Sequence, residues 1–136
     1  MNDDYTKVAL EELPDFAADR FPDGSMQARG IRVPIGAQQT GAMFHRLGPN
    51  VRQPFGHVHH EAEELFLVLK GSGTAMIGDD AVALNTMDAV RIGPSAPRCF
   101  EAGPDGIEIL AFGPHMEKDG RLLPGWWGGE VPPPTA

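Results

Sequence analysis

From residue 27 onward, the chain is divided into short apolar stretches, each closed off by glycine, proline, asparagine or aspartate. Stretches of about four to eight residues bounded in this way are typical of β-strands joined by tight turns. The 17 Gly and 13 Pro residues agree with many such turns. The predicted strands are Ala28–Ile35, Ala42–Leu47, Glu64–Leu69, Thr74–Ile77, Ala81–Leu84, Ala89–Ile92, Arg98–Ala102 and Ile107–Phe112. We therefore predict an all-β fold, either a sandwich or a jelly roll.

Two local patterns refine this prediction. Within residues 74–84, Gly78-Asp79-Asp80 separates two apolar runs, and these residue types tolerate the positive φ of a tight hairpin turn. The only helix-like pattern is Lys7–Asp19, which Pro14 interrupts. Because proline removes a backbone donor, we expect no more than a short helical turn there.

Composition and charge exclude several classes of partner. The formal charge is -8, from 11 Lys+Arg against 19 Asp+Glu. Nucleic acids and anionic membranes require clustered cations, so we expect neither as a partner. The acidic start Met1-Asn2-Asp3-Asp4 lacks the pattern of a signal peptide, which predicts a cytoplasmic protein. Cys99 is the single cysteine, so no intrachain disulfide can form.

One strand is apolar at consecutive positions. Leu65–Leu69 does not alternate as a strand with one solvated face does, so we expect both of its faces to be covered. The outer face would be covered by a terminal arm or by a second subunit, and we therefore predict a homodimer. The aromatic pair Trp126-Trp127 is expected to pack on the barrel or on that partner.

The chemistry concentrates in His57-Val58-His59 and Glu64. Residues two apart in a strand share a face about 6.5 Å apart, so both imidazoles can reach one ion. The four residues between His59 and Glu64 suffice for a reversal, after which Glu64 faces the same interior. Two imidazole nitrogens and one carboxylate leave coordination positions open for a ligand. We predict one divalent metal ion, with iron, manganese, nickel and zinc all remaining candidates.

The stretch Pro54–Gly71 resembles the first motif of the cupin family: His-any-His, four residues, Glu, six residues, Gly. In that family the positions matching His57, His59 and Glu64 are metal ligands, and Gly71 is the turn after the strand. The resemblance implies the double-stranded β-helix of the cupins, a jelly-roll barrel. We assign the barrel to residues 27–113, a short N-terminal arm to residues 1–26, and a C-terminal arm and tail to residues 114–136.

The second cupin motif is degenerate here. Residues 87–98 resemble it in register, but Arg98 stands where the family's fourth ligand, a histidine, is usual. A guanidinium about 5 Å from a divalent ion would be repelled by roughly 7 kcal/mol at an effective dielectric of about 20. Three interpretations follow: Arg98 points toward the barrel mouth, it binds an anion that also touches the metal, or no metal binds. A salt bridge from Arg98 to Glu61 or Glu63 is the alternative to the bridging anion.

Other polar residues are weaker candidates. His45 precedes the first motif on a predicted strand and would replace the missing fourth ligand if it faces inward, although a structural or outward histidine is more common. Gln53 near the barrel mouth is a candidate hydrogen-bond partner for a ligand. His60 and His115 are expected to face solvent.

These residues predict a metal-binding cupin that acts on a small anionic organic molecule as a dioxygenase, isomerase or decarboxylase. The alternative is a non-catalytic protein that binds or senses a small molecule through a weak or empty metal site. The fold cannot choose between them, because one barrel hosts many chemistries.

Overall fold

The computed structural model describes residues 4–134, which form eight strands and very little helix. A 3₁₀ turn at Leu10–Glu12 confirms that the N-terminal region holds no more than a short helical turn. The remaining elements are β1 Met26–Gly30, α1 Arg32–Ile35, β2 Thr40–Leu47, β3 Phe55–His59, β4 Glu64–Ile77, β5 Asp80–Leu84, β6 Ala89–Ile92, β7 Arg98–Pro114 and β8 Gly120–Pro124. The all-β prediction is confirmed.

Two long strands hold the barrel together. Strand β4 has 14 residues and β7 has 17, and they pair antiparallel from Leu65 opposite Phe112 to Ile77 opposite Arg98. Along the other edges, β1, β2, β7, β3 and β8 are neighbours in that order, while β5 and β6 both pair with β4. The strands therefore close into a jelly roll around a shared interior.

The structure joins strands that the sequence predicts as separate. The two segments predicted on either side of Gly71 form the single strand β4, in which Gly71 has φ 78°. The β4–β7 register shifts on both sides of it, between Val68 and Lys70 and between Gly71 and Gly73. Gly71 is therefore a β-bulge inside a strand and not the turn after it. A bulge bends the strand without ending it, so a glycine here does not mark a boundary.

The predicted strand Ala28–Ile35 is wrong in its second half. Strand β1 ends at Gly30, and Arg32–Ile35 forms the single helical turn α1. Gly36, with φ 77°, caps the turn by donating its N–H to the carbonyls of Arg32 and Val33. Pro34 has no N–H to donate to a sheet partner, which favours the turn over a continued strand.

The hairpin predicted in residues 74–84 is confirmed, with Ile77 opposite Asp80 across a two-residue loop. Strand β8 was not predicted as a separate strand. It lies within residues 114–136, the segment assigned to the C-terminal arm, and pairs along the whole of β3. The strand that carries His57 and His59 is thus supported by a later part of the chain.

The interior is filled by apolar side chains on the inward faces of the strands, chiefly Leu47, Phe66, Val68, Phe100 and Ile109. A second, smaller cluster of Cys99, Leu123 and Trp126 lies outside this core. Trp126 is 7% exposed, so it packs on the barrel of its own chain. The Arg52 guanidinium lies 3.9 Å from the centre of the Trp127 ring.

In the single chain, the outer face of β4 is only partly covered. Phe66 and Val68 are buried, whereas Leu65 and Leu69 are 36% and 38% exposed in the single chain. The terminal arms therefore leave part of this face open, and the homodimer stays a prediction. Among the helical segments within residues 4–134, none has the length and apolar character needed to span a membrane.

The bulge at Gly71 allows a direct test. A Cβ there would lie 2.0 Å from the backbone oxygen of Gly106, in addition to the strain of a positive φ. We expect Gly71→Ala to lower the free energy of unfolding by more than about 4 kcal/mol in urea denaturation. Gly125→Ala is the control, since Gly125 has a similar φ of 70° but no atom within 4 Å of the added Cβ. Gly125→Ala should lower the free energy of unfolding by only about 1–2 kcal/mol. Equal losses in the two variants would contradict this account.

Candidate metal centre

Strand alternation brings the three predicted ligands together. On β3, His57 and His59 share one face with Phe55, while Val58 faces the outer cluster around Trp126. On β4, Glu64 shares the inward face of Phe66 and Val68, both of which are buried in the core. Both strands therefore direct these polar side chains into the barrel.

The three side chains converge on one point. His57 Nε2 lies 3.1 Å and His59 Nε2 lies 3.5 Å from the same Glu64 oxygen, Oε1. The two imidazole rings are nearly perpendicular, with centroids 5.2 Å apart. All three candidate ligand atoms lie within 4.8 Å of one another. This spacing suits a single bound ion.

Arg98 is buried beside the trio. It pairs in register with His57, is 0% exposed, and donates from Nη1 to Glu64 Oε1 at 3.1 Å. Its Nη2 donates to the carbonyl of Gly93 at 3.1 Å. The expectation of a salt bridge to Glu61 or Glu63 is therefore wrong, and so is that of a side chain turned to the barrel mouth. The charge of Arg98 is directed at one of the candidate metal ligands.

The electrostatics of the trio follow from burial and these contacts. Burial alone would raise the pKa of the Glu64 carboxyl, but its contacts with the imidazoles of His57 and His59 hold that pKa well below its ordinary value. Burial lowers the pKa of His57, whereas the hydrogen bond with Glu64 raises the pKa of His59. Burial lowers the pKa of Arg98 against the opposing charge of Glu64. Glu64 is thus ionised and available as an anionic ligand.

The residues present fit a divalent metal ion. Two imidazole nitrogens and one carboxylate oxygen suit iron, manganese, nickel or zinc. The second ring nitrogen of His59, Nδ1, lies 3.3 Å from Asp119 Oδ2. Metal-binding histidines generally donate that second N–H to a carboxylate or carbonyl. Asp119 did not stand out in the sequence, because it lies 60 residues from His59 and belongs to neither motif.

His45 faces inward but lies outside the metal cluster. It shares a face of β2 with Met43 and Leu47, and no described residue bonds its buried Nδ1. Burial lowers its pKa to about 4, so the imidazole is neutral near pH 7. Because it is not among the residues whose ligand atoms converge, it does not replace the fourth ligand. Of the two alternatives to a ligand, a structural or an outward histidine, the outward one is wrong.

The remaining candidates are placed as follows. Gln53 is 7% exposed, and its Oε1 accepts the N–H of Phe100 at 3.0 Å. His60 is exposed, as expected. His115 is partly exposed and lies 3.0 Å from the Glu117 carboxylate.

A cavity of about 500 Å³ opens beside the trio. Its polar lining includes His45, Gln53, Arg20 and Arg121, together with the three candidate ligands. Its apolar walls come from Phe16, Ala17, Phe21, Met26, Ala28, Met43, Phe55 and Leu122. A second cavity, of about 320 Å³, also reaches His59 and Glu64 and shares Phe16 and Met43 with the first. Arg98 lines neither cavity, so it reaches them only through Glu64.

Solved structures with this architecture are cupins and cupin-like enzymes. A cupin protein from Bacteroides fragilis superposes with a TM-score of 0.68 at 20% identity, over 87% of this chain and 89% of that one. The polyketide cyclase RemF from Streptomyces resistomycificus superposes with a TM-score of 0.68 at 22% identity, over 88% of this chain and 84% of that one. Oxalate decarboxylase from Bacillus subtilis superposes with a TM-score of 0.71 at 18% identity, over 87% of this chain but only 32% of that one.

No family model and no curated protein matches the chain, so the likeness rests on the solved structures. The chain has the cupin fold, which confirms the fold expected from the first motif. At these identities the likeness establishes the architecture and not a reaction.

The Arg98 contact leads to a prediction. Arg98→His removes a cation beside the metal position and adds a fourth imidazole, so we expect tighter Zn²⁺ binding by about tenfold or more in isothermal titration. Because the buried Glu64 loses its ionic partner, the metal-free variant should also lose about 3 kcal/mol of stability. Arg91→His is the control, since Arg91 is exposed and pairs with Glu63 at 3.8 Å. Unchanged zinc affinity in Arg98→His would mean that the guanidinium does not act on the site.

Proposed function

We propose that this protein binds one divalent metal ion through His57, His59 and Glu64 and acts on a small anionic organic molecule in the adjoining cavity. The observation that carries the proposal is the convergence of both Nε2 atoms on Glu64 Oε1 beside a cavity of about 500 Å³. A divalent ion held there supplies a Lewis acid with open coordination positions.

The charge balance favours an anionic ligand. Arg98 already offsets the negative charge of Glu64, and the carboxylate of Asp119 lies behind His59, so the candidate ligand atoms themselves carry no net negative charge to balance a divalent ion. An anionic oxygen on the metal supplies part of that balance within a poorly solvated site. Among the described residues that line the cavity, Glu64 is the sole acid, whereas Arg20 and Arg121 are cations. This supports an acidic ligand without requiring it to touch Arg98.

The lining indicates what else the ligand carries. Most of the wall is apolar and includes three phenylalanines, Phe16, Phe21 and Phe55. Cavities of about 300–1,000 Å³ generally take ligands well above the size of a two-carbon acid. We therefore propose a molecule with an apolar body, an acidic group at the metal and a polar group within reach of His45 or Gln53.

The reaction is proposed by class. A metal-bound acid in a cupin barrel is compatible with dioxygenation, isomerisation or decarboxylation. The side chains of this protein would bind and orient the acid, and the apolar walls would exclude water from it. Iron, manganese, nickel and zinc remain the proposed metals.

The salt bridge between Arg98 and Glu64 favours a second candidate function. If it weakens metal binding enough, the same cavity serves as a non-catalytic site that binds or senses the small molecule. Metal analysis of the purified protein separates the two. Near-stoichiometric iron, manganese or nickel supports the enzyme, whereas no metal after purification and no uptake on titration supports the binder.

The metal site is tested at His59. We expect His59→Ala to lower Zn²⁺ affinity by at least about 100-fold in isothermal titration, because it removes one of three ligand atoms. His60→Ala is the matched control, since His60 is the adjacent residue and is exposed. It should bind zinc as the wild type does. Equal zinc content in both variants would show that the ligands are assigned wrongly.

We also propose that the protein forms a homodimer and is located in the cytoplasm. The partly exposed Leu65 and Leu69 support a subunit contact at the outer face of β4, whereas Trp126 is already covered by its own chain. We expect light scattering to give about twice 14.6 kDa at micromolar concentrations. The double variant Leu65→Lys/Leu69→Lys should give the monomer mass, since it places charge on that face. A wild-type monomer across this range would rule out the dimer.

A further inference from the structure

Asp119, in the loop between β7 and β8, is held against the first motif. Its side chain is 6% exposed. Oδ1 accepts the N–H of Glu61 at 2.8 Å, and Oδ2 accepts the N–H of Ala62 at 3.0 Å. The same Oδ2 lies 3.3 Å from His59 Nδ1. One carboxylate therefore ties the turn between β3 and β4 to the imidazole at the end of β3.

Backbone contacts fix the position of this carboxylate. The carbonyl of Asp119 accepts the N–H of His60 at 3.0 Å, and the next residue, Gly120, pairs with His59 in the β3–β8 ladder. Both side-chain oxygens of Asp119 accept backbone N–H groups, so the group beside Nδ1 is a fixed carboxylate, which accepts hydrogen bonds and cannot donate them.

A neutral imidazole carries one proton, so its two nitrogens have different roles. Asp119 faces Nδ1 at 3.3 Å, whereas Glu64 Oε1 faces Nε2 at the longer distance of 3.5 Å. That Glu64 oxygen is also contacted by His57 and Arg98, each at 3.1 Å. The proton of neutral His59 is therefore better placed on Nδ1, which leaves the lone pair of Nε2 directed at the cluster.

We propose that Asp119 is a positioning residue that holds His59 as its Nδ1–H tautomer and so makes Nε2 a metal ligand. The preference for the Nδ1–H tautomer concerns the metal-free protein alone. The role of Nε2 as a metal ligand rests on the proposed function, since it requires that a metal bind at the trio. Because Asp119 lies outside both cupin motifs, the inference also makes the β7–β8 loop part of the site.

The test compares Asp119→Asn with Glu117→Gln in the full chain. Asn keeps the size of the side chain and one carbonyl oxygen for the turn amides, but it replaces one carboxylate oxygen with a donor. Glu117→Gln is the matched control, since Glu117 also pairs with a histidine, His115, at 3.0 Å in the same segment. Thermal unfolding establishes that both variants fold. If Asp119→Asn does not, Asp119→Glu serves as the conservative variant and should keep the tautomer.

The first readout is the tautomer of His59 in metal-free protein, from long-range ¹H–¹⁵N correlation spectra at about pH 9, where imidazoles are neutral. We expect protonated Nδ1 in the wild type and in Glu117→Gln, and a shift toward protonated Nε2 in Asp119→Asn. The second readout is Zn²⁺ affinity by isothermal titration. It should fall about 10–100-fold in Asp119→Asn and less than about threefold in the control.

The two readouts separate the inference from the proposed function. A tautomer that changes in Asp119→Asn, in a protein that binds no zinc even as wild type, supports the positioning role and overturns the metal proposal. An unchanged tautomer and unchanged zinc affinity in Asp119→Asn overturn the positioning role, leaving Asp119 as a tether for the turn. In that case zinc binding that His59→Ala abolishes still supports the metal site.

Discussion

The site depends on one carboxylate oxygen. Glu64 Oε1 lies within 3.5 Å of two imidazole nitrogens and a guanidinium nitrogen, contributed by His57, His59 and Arg98. His57 and the Arg98 guanidinium offset the cost of removing the charge of this partly buried oxygen from water, and the carboxylate in turn offsets the cost of burying the guanidinium. The same oxygen would have to be shared with a bound metal ion. Any ligand at the trio therefore meets an oxygen that is already in contact with these three side chains.

The two longest strands of the barrel determine where that oxygen and its counter-charge lie. Strand β4 presents Glu64 at its start and continues through the bulge at Gly71, so a single strand both carries a ligand and closes the fold. Strand β7 begins at Arg98 and pairs with β4, β3 and β2. Glu64 and Arg98 lie at opposite ends of the antiparallel β4–β7 ladder, so their salt bridge depends on closure of the barrel, where Arg98 pairs with His57 of β3.

The sequence predicted the fold and the convergence of His57, His59 and Glu64 for clear physical reasons. Turn residues mark short strands, and alternation places His57 and His59 on one face. The pairing of Arg98 with Glu64 was not predictable, because strand spacing tells which face a side chain lies on but not which neighbour it reaches. The role of Asp119 was not predictable either, because its partners His59 and Ala62 lie 60 and 57 residues earlier in the chain. Gly71 was misassigned because glycine marks both turns and bulges.

The pairing of β3 with β8 has a consequence for how the molecule is made. Strand β3 carries both histidines, yet it pairs along its length only with β8, which follows after four intervening strands, and at one position with β7. On the ribosome, β3 leaves the exit tunnel long before its partner exists. The chain must close a loop of about 60 residues before the histidines are fixed, which makes this contact slow relative to the β4–β5 hairpin. The order of synthesis therefore makes β3, the strand that carries both histidines, one of the last parts of the barrel to take its final position.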